Sequence, residues 1–109
     1  MGKVPRPNYL AFDRFVVDRR DERVVGPDGP VKLGNKAYRL LLALIDNDGR
    51  LVTKDSLLST VWDGTIVTEA SLTSAIRELR RALGDESRTP RLIESVYGRG
   101  YRFIAAVRP

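Results

Sequence analysis

Between Thr68 and Gly84 the chain sets Leu72, Ile76, Leu79 and Leu83 three or four residues apart. At about 100° per residue these side chains share one narrow face of a helix, so the segment must lie with one side on a core and the other in solvent. The opposite side carries Ala70, Ser74, Arg77 and Arg81, flanked by Thr73 and Glu78. Its side chains are short near the helix start and become arginines further along. Such a helix cannot bury its own stripe. The rest of the chain has to supply the core it covers.

That supply reads in order. From Tyr9 to Leu33, short apolar runs (Tyr9 to Phe12, Phe15 to Val17, Val24 with Val25, Val31 to Leu33) alternate with charged or turn residues, which predicts four short antiparallel strands. Pro27-Asp28-Gly29 predicts a hairpin turn between the last two, since proline fixes φ and glycine accepts a positive one. Ala37, Leu40, Leu41, Leu44 and Ile45 predict a helix from about Lys36 to Asp46, ended by Asn47 to Gly49. Thr53 is the expected N-cap of a second helix bearing Leu57, Leu58, Val61 and Trp62, and Asp63 to Val67 follows as a loop. Thr68 should cap the third helix and Gly84 should end it. Leu92 to Val96 and Tyr101 to Ala105 then form a hairpin around Tyr97-Gly98-Arg99-Gly100. Met1 to Asn8, with charges and two prolines, is expected to be an N-terminal arm to a domain spanning residues 9 to 107.

Composition narrows the chemistry. A chain of 109 residues, 42% apolar, holds one core. Cysteine and histidine are both absent, which excludes disulfides, Cys/His zinc sites, thiol catalysis and any Ser-His dyad. The longest apolar run, Leu40 to Ile45, is too short to span a bilayer, and the first residues do not form a signal peptide. A cytoplasmic chain without membrane contact is expected. The net charge of +5 is uneven: 7 basic against 5 acidic groups in residues 1–34, 4 against 4 in 35–65, and 8 against 5 in 66–109. The basic C-terminal third points to a polyanion.

Two capped helices joined by a five-residue loop make a helix-turn-helix, and a hairpin with Arg99 between two glycines follows it. A major groove admits one α-helix; small residues permit close approach, and arginine reaches guanine edges or phosphates. A narrow minor groove attracts an inserted arginine, and glycines on either side let a backbone come close. Turn geometry alone would also explain Gly98 and Gly100, and the two readings are compatible.

The stretches Asp55 to Trp62 (DSLLSTVW), Ser71 to Gly84 (SLTSAIRELRRALG) and Leu92 to Phe103 (LIESVYGRGYRF) together resemble the winged-helix effector domain of the OmpR/PhoB family. The likeness covers about Tyr9 to Val107 and is closest to CadC- and ToxR-like regulators, in which the domain stands at the N-terminus. It implies an α+β winged helix-turn-helix: an N-terminal four-stranded antiparallel sheet, three helices and a C-terminal β-hairpin wing. It also implies sequence-specific binding of double-stranded DNA for transcriptional regulation, with no cofactor, no metal and no catalysis. Carried over, the recognition helix corresponds to Thr68 to Leu83. Its groove-facing positions are Thr73, Ser74, Arg77, Glu78 and Arg81, with Arg80 toward the DNA backbone. Thr53, Lys54 and Trp62 stand where relatives meet phosphates. Tyr97 to Gly100 forms the wing tip, and Arg102 adds a basic group close by. The 63–67 loop matches the segment through which some relatives touch RNA polymerase, and two protomers on tandem half-sites are expected.

Three positions depart from the family pattern. Tyr97 replaces a common basic residue, which moves the wing's charge to Arg99. Ala75 replaces a histidine, which removes one phosphate contact. Glu78 replaces an arginine or lysine; it either accepts from a cytosine N4 amine or pairs with a neighbouring arginine.

Two other classes compete. An enzyme would need a site, but Asp46-Asn47-Asp48-Gly49 has Leu57 where a calcium loop needs glutamate, and Gly98-Arg99-Gly100 has Phe103 where a dinucleotide loop needs its third glycine. A winged helix that binds a partner protein would favour a neutral or acidic outer face, against Arg77, Arg80, Arg81, Arg99 and Arg102.

Overall fold

The computed structural model describes residues 8–63 and 65–109. The expected arm therefore lies, but for Asn8, outside the described residues. Strands β1 (Tyr9–Phe12), β2 (Phe15–Asp18), β3 (Arg23–Gly26) and β4 (Gly29–Val31) form an antiparallel meander. Register aligns Leu10 with Val17, Val17 with Val24, and Val24 with Val31. Alternation thus gives the sheet one apolar face, and Leu10, Val17 and Val24 are buried on it. The fourth strand begins earlier than its apolar run, because pairing starts beside the turn, at Gly26 with Gly29.

Three helices, α1 (Asn35–Ile45), α2 (Lys54–Trp62) and α3 (Glu69–Leu83), pack on one another and share one core with that face. Thr53 caps α2 as expected, its Oγ1 accepting from Ser56 N at 3.1 Å. At the other end of α2, Lys36 Nζ and Arg39 of α1 donate to the carbonyls of Val61 and Thr60, at 3.3 and 3.0 Å. These cations satisfy orphan carbonyls at the negative end of the helix dipole. Thr68 has the extended backbone of an N-cap, but its side chain makes no capping bond. Gly84 ends α3 with φ 71°, in the left-handed conformation expected there.

Two strand pairs were not anticipated. The segment β5 (Val52–Thr53), directly before α2, pairs with β7 (Gly100–Phe103), so the hairpin of β6 (Ile93–Val96) and β7 becomes a three-stranded sheet. The last strand, β8 (Val107–Arg108), returns to pair with β1, placing Arg108 opposite Ala11 and Val107 opposite Phe12. The N-terminal sheet therefore has five strands in the order β4-β3-β2-β1-β8 rather than four. Phe12 and Phe103 meet edge to face at 5.0 Å, joining the two sheets through one core.

Candidate nucleic-acid interface

The apolar stripe of α3 is buried as read: Leu72, Ile76, Leu79 and Leu83 are all in the core. Ala75 joins them, so it packs inward rather than standing on the outer surface. Opposite, Ala70, Thr73, Ser74, Arg77 and Arg81 are exposed. Thr73 Oγ1 donates back to the Glu69 carbonyl at 3.3 Å, whereas the side chains of Arg77 and Arg81 have no hydrogen bond or ion pair with any described residue. A groove of about 420 Å³ separates this face from the wing, lined among others by Thr73, Arg77, Arg81, Ser95 and Tyr101.

Several expected contact residues turn out to be engaged within the protein. Arg80 donates to Ile93 O at 2.8 Å and Ser95 Oγ at 3.1 Å. It ties α3 to β6, because this position faces the wing rather than open solvent. Glu78 meets neither an arginine nor open groove: its Oε2 accepts from Gly34 N at 2.7 Å. Gly34 is the N-cap of α1 and has no side chain to cap with. Glu78 thereby supplies from α3 the carboxylate that a capping box takes from within the same helix. Trp62 is 8% exposed and belongs to the core cluster, so it supports the surface from below. Arg102 lies opposite Glu94 in the β6–β7 register and pairs with it at 3.4 Å.

Lys54 has two attachments. Its amide donates to Arg99 O at 3.0 Å, fastening the wing tip to the start of α2. Its ammonium pairs with Glu69 at the start of α3, and this hydrogen bond holds the Lys54 pKa above its ordinary value. The pair is exposed, so a phosphate can replace Glu69 as the partner of Lys54 at little cost.

At the wing tip Arg99 N donates to Val96 O at 2.9 Å, closing a turn in which Gly98 takes φ 71°. Tyr97 is fully exposed, and the Arg99 side chain is exposed without a partner among the described residues. Gly100 has a different reason for being glycine. A Cβ there would stand 2.0 Å from Val52 O, so the close approach it permits is that of β5, not of a duplex.

One residue essential to this geometry was not anticipated. Asp85 is 7% exposed and accepts from the amides of Arg91, Leu92 and Ile93 at 2.8, 3.2 and 2.9 Å. It fixes where β6 leaves α3, and hence where the wing stands. Arg91 in turn donates to both oxygens of Asp13 at 3.1 Å, across to the β1–β2 turn, and holds the Asp13 carboxyl below its ordinary pKa.

With this arrangement in place, residues 28–103 match the family model described as "Transcriptional regulatory protein, C terminal". The chain belongs to that family. Transcriptional regulator HilA of Salmonella typhi is 39% identical over 94 residues, covering 86% of the chain and 17% of HilA. A cholera toxin homolog transcriptional activator of Vibrio parahaemolyticus is 37% identical over 104 residues (91% of the chain, 36% of the activator). Among solved structures, the Klebsiella pneumoniae RstA DNA-binding domain in complex with RstA box superposes with TM-score 0.79 at 26% identity, covering 89% of the chain and 97% of that domain. The DNA-binding domain of Escherichia coli CadC gives TM-score 0.81 at 24% identity, covering 95% and 98%, and so attests the winged-helix fold. The chain spans less than two-fifths of the length of HilA and of the Vibrio activator. This transcriptional regulatory domain therefore has the fold of its family and spans only a part of those proteins. Among its described residues no helix is long and apolar enough to cross a membrane.

Proposed function

We propose that this domain binds double-stranded DNA sequence-specifically, with α3 in the major groove and the wing tip at the adjacent minor groove. The observation that carries the reading is the set of unpartnered arginines on one surface: Arg77 and Arg81 on the exposed face of α3, and Arg99 at the wing tip. An arginine without an internal partner gives up no protein bond when it meets a base edge or a phosphate. Thr73, Ser74, Arg77 and Arg81 read bases or neighbouring phosphates; Arg99 and Tyr97 meet the flanking groove. Thr53 and Lys54, at the start of α2, take phosphates that carry no sequence information. Arg80, Glu78, Trp62 and Arg102 hold the reading surface in shape.

A single module buries a modest surface, so two protomers on tandem half-sites supply the affinity and specificity of a working operator. The 63–67 loop presents Ile66 with its side chain 99% exposed, and RNA polymerase is the partner this loop serves. Gly64 in that loop lies outside the described residues. The domain performs no chemical turnover and works in the cytoplasm, where DNA is reached.

Selection of bound duplexes from a random library, followed by a salt titration on the selected sequence, tests the reading. A recovered motif and a log K that falls with log salt at a slope of about −4 to −5 are expected, as for about 5 phosphates neutralised. No motif and a flat salt response overturn it in favour of a protein-binding winged helix.

A further inference from the structure

A basin of about 710 Å³ opens at the C-terminal end of α3, walled on its other side by the β3–β4 turn. Phe15, Val31 and Leu83 give it apolar lining. Its charged lining is Arg14, Lys32, Arg81 and Arg91, with Asp28 the one carboxylate among the lining residues. Arg91 is held by Asp13 and donates to Gly84 O at 3.4 Å. Arg14 reaches the same Asp13 carboxylate only loosely, at 3.8 Å, with its side chain 68% exposed. The side chains of Lys32 and Arg81 have no hydrogen bond or ion pair with any described residue.

The position of the basin matters as much as its charge. Glu78 contacts Gly34, in the link between β4 and α1, while Arg80 contacts β6. Two residues along a helix are about 200° apart, so the β4–α1 link and the wing flank α3 on opposite sides. A major groove is about 12 Å wide and a helix with its side chains about 10–12 Å across, so a helix lying in it has a phosphate strand at each flank. The wing attends to one strand. The basin stands toward the other.

We propose that this basin takes a phosphate of the DNA backbone, with Lys32 and Arg14 reaching it from the sheet and Arg81 from the end of α3. The inference rests on the DNA-binding reading above and adds contact residues outside the helix-turn-helix and wing. The apolar lining offers the phosphate oxygens no hydrogen bonds, which leaves the cations as their protein partners. The Arg91–Asp13 pair braces the rim. Because the basin is continuous with the face of α3 through Arg81, one DNA backbone can follow both.

The test compares the 109-residue chain with its K32Q/R14Q double variant, on a duplex selected with the unaltered chain and on a mixed-sequence duplex. The variant should bind both more weakly, by the same factor, with its salt slope shallower by about 1, or roughly 3–4-fold between 50 and 200 mM salt for one phosphate lost. Base preference should not change. Asp28→Lys should shift the slope the other way, a gain that misfolding cannot produce. Slopes for K32Q/R14Q and D28K equal to that of the unaltered chain overturn the proposal, as does a defect confined to loading a second molecule on a two-site duplex, which would make the basin a protein contact. A flat response from the unaltered chain is a different result: it removes the DNA reading itself.

Discussion

At the scale of single residues, Glu78 shows how an exposed position on a reading helix can serve the scaffold. Its carboxylate completes the N-terminus of α1, so its loss frees an amide at a helix start rather than a base contact. Glu78→Ala should lower stability by about 0.5–2 kcal/mol, the usual range for a lost cap, and leave base preference unaltered. Arg77→Ala should do the reverse: an unmoved thermal midpoint and a loss of about 1–3 kcal/mol at one base pair. Melting curves and binding to single-base operator variants separate the two. Gly98 and Gly100 differ in the same way. Gly98→Ala has open space and suffers only its left-handed φ, about 1–2 kcal/mol. Gly100→Ala drives a Cβ into the Val52 carbonyl and should cost more, detaching β5 from the wing. Equal melting losses for the two glycines would contradict this.

Among the elements, α3 was legible because one stripe of four apolar residues suffices to orient it. The strands β5 and β8 were not, since two residues have no period and their pairing is decided by partners far along the chain. Arg80 looked like a DNA contact for a related reason: a helical wheel tells inside from outside, but not which outside flank a wing will occupy. Asp85 was invisible because its three amide partners converge only once β6 has turned back beside α3. Its replacement by Ala leaves buried amides of Leu92 and Ile93 without acceptors, at about 1–3 kcal/mol for each group. The wing should loosen with it. Asp85→Ala is therefore expected to speed amide hydrogen exchange in β6 and weaken DNA binding, although Asp85 touches no nucleic acid. The wing tip makes its own forecast. Arg99→Ala should keep the thermal midpoint and lose discrimination between A·T-rich and G·C-rich flanks, because a narrow groove attracts its charge. An unchanged flank preference with weaker overall binding would reduce Arg99 to a phosphate contact.

For the whole molecule, two surface ion pairs make stability depend on pH, in opposite directions at acid and at alkaline pH. Asp13 is held below its ordinary value of 3.8 by its hydrogen bond to the Arg91 guanidinium, so its charged form favours the folded state. Its contribution is complete above the unfolded value and disappears as pH falls through the lower, folded one. Lys54, raised above 10.5 by Glu69, behaves oppositely: its contribution is complete below 10.5 and is lost as pH climbs through the folded value. Asp13→Asn should therefore melt below the unaltered chain at neutral pH, with the gap closing once pH drops under 3.8. A gap constant from about pH 6 to pH 2 would assign the loss to packing instead.

The return of β8 to β1 has a mechanical meaning. Antiparallel pairing of Ala11 with Arg108 and Phe12 with Val107 brings the two ends of the fold out side by side, at the same end of one strand pair. A force applied between those ends opens this ladder one rung at a time, as a zipper, instead of loading all its hydrogen bonds together in shear. The first piece to yield under tension is then the edge of the N-terminal sheet. The wing and α3, held by β5, Asp85 and Arg80, lie outside that line of force and keep their shape after the first rungs have gone.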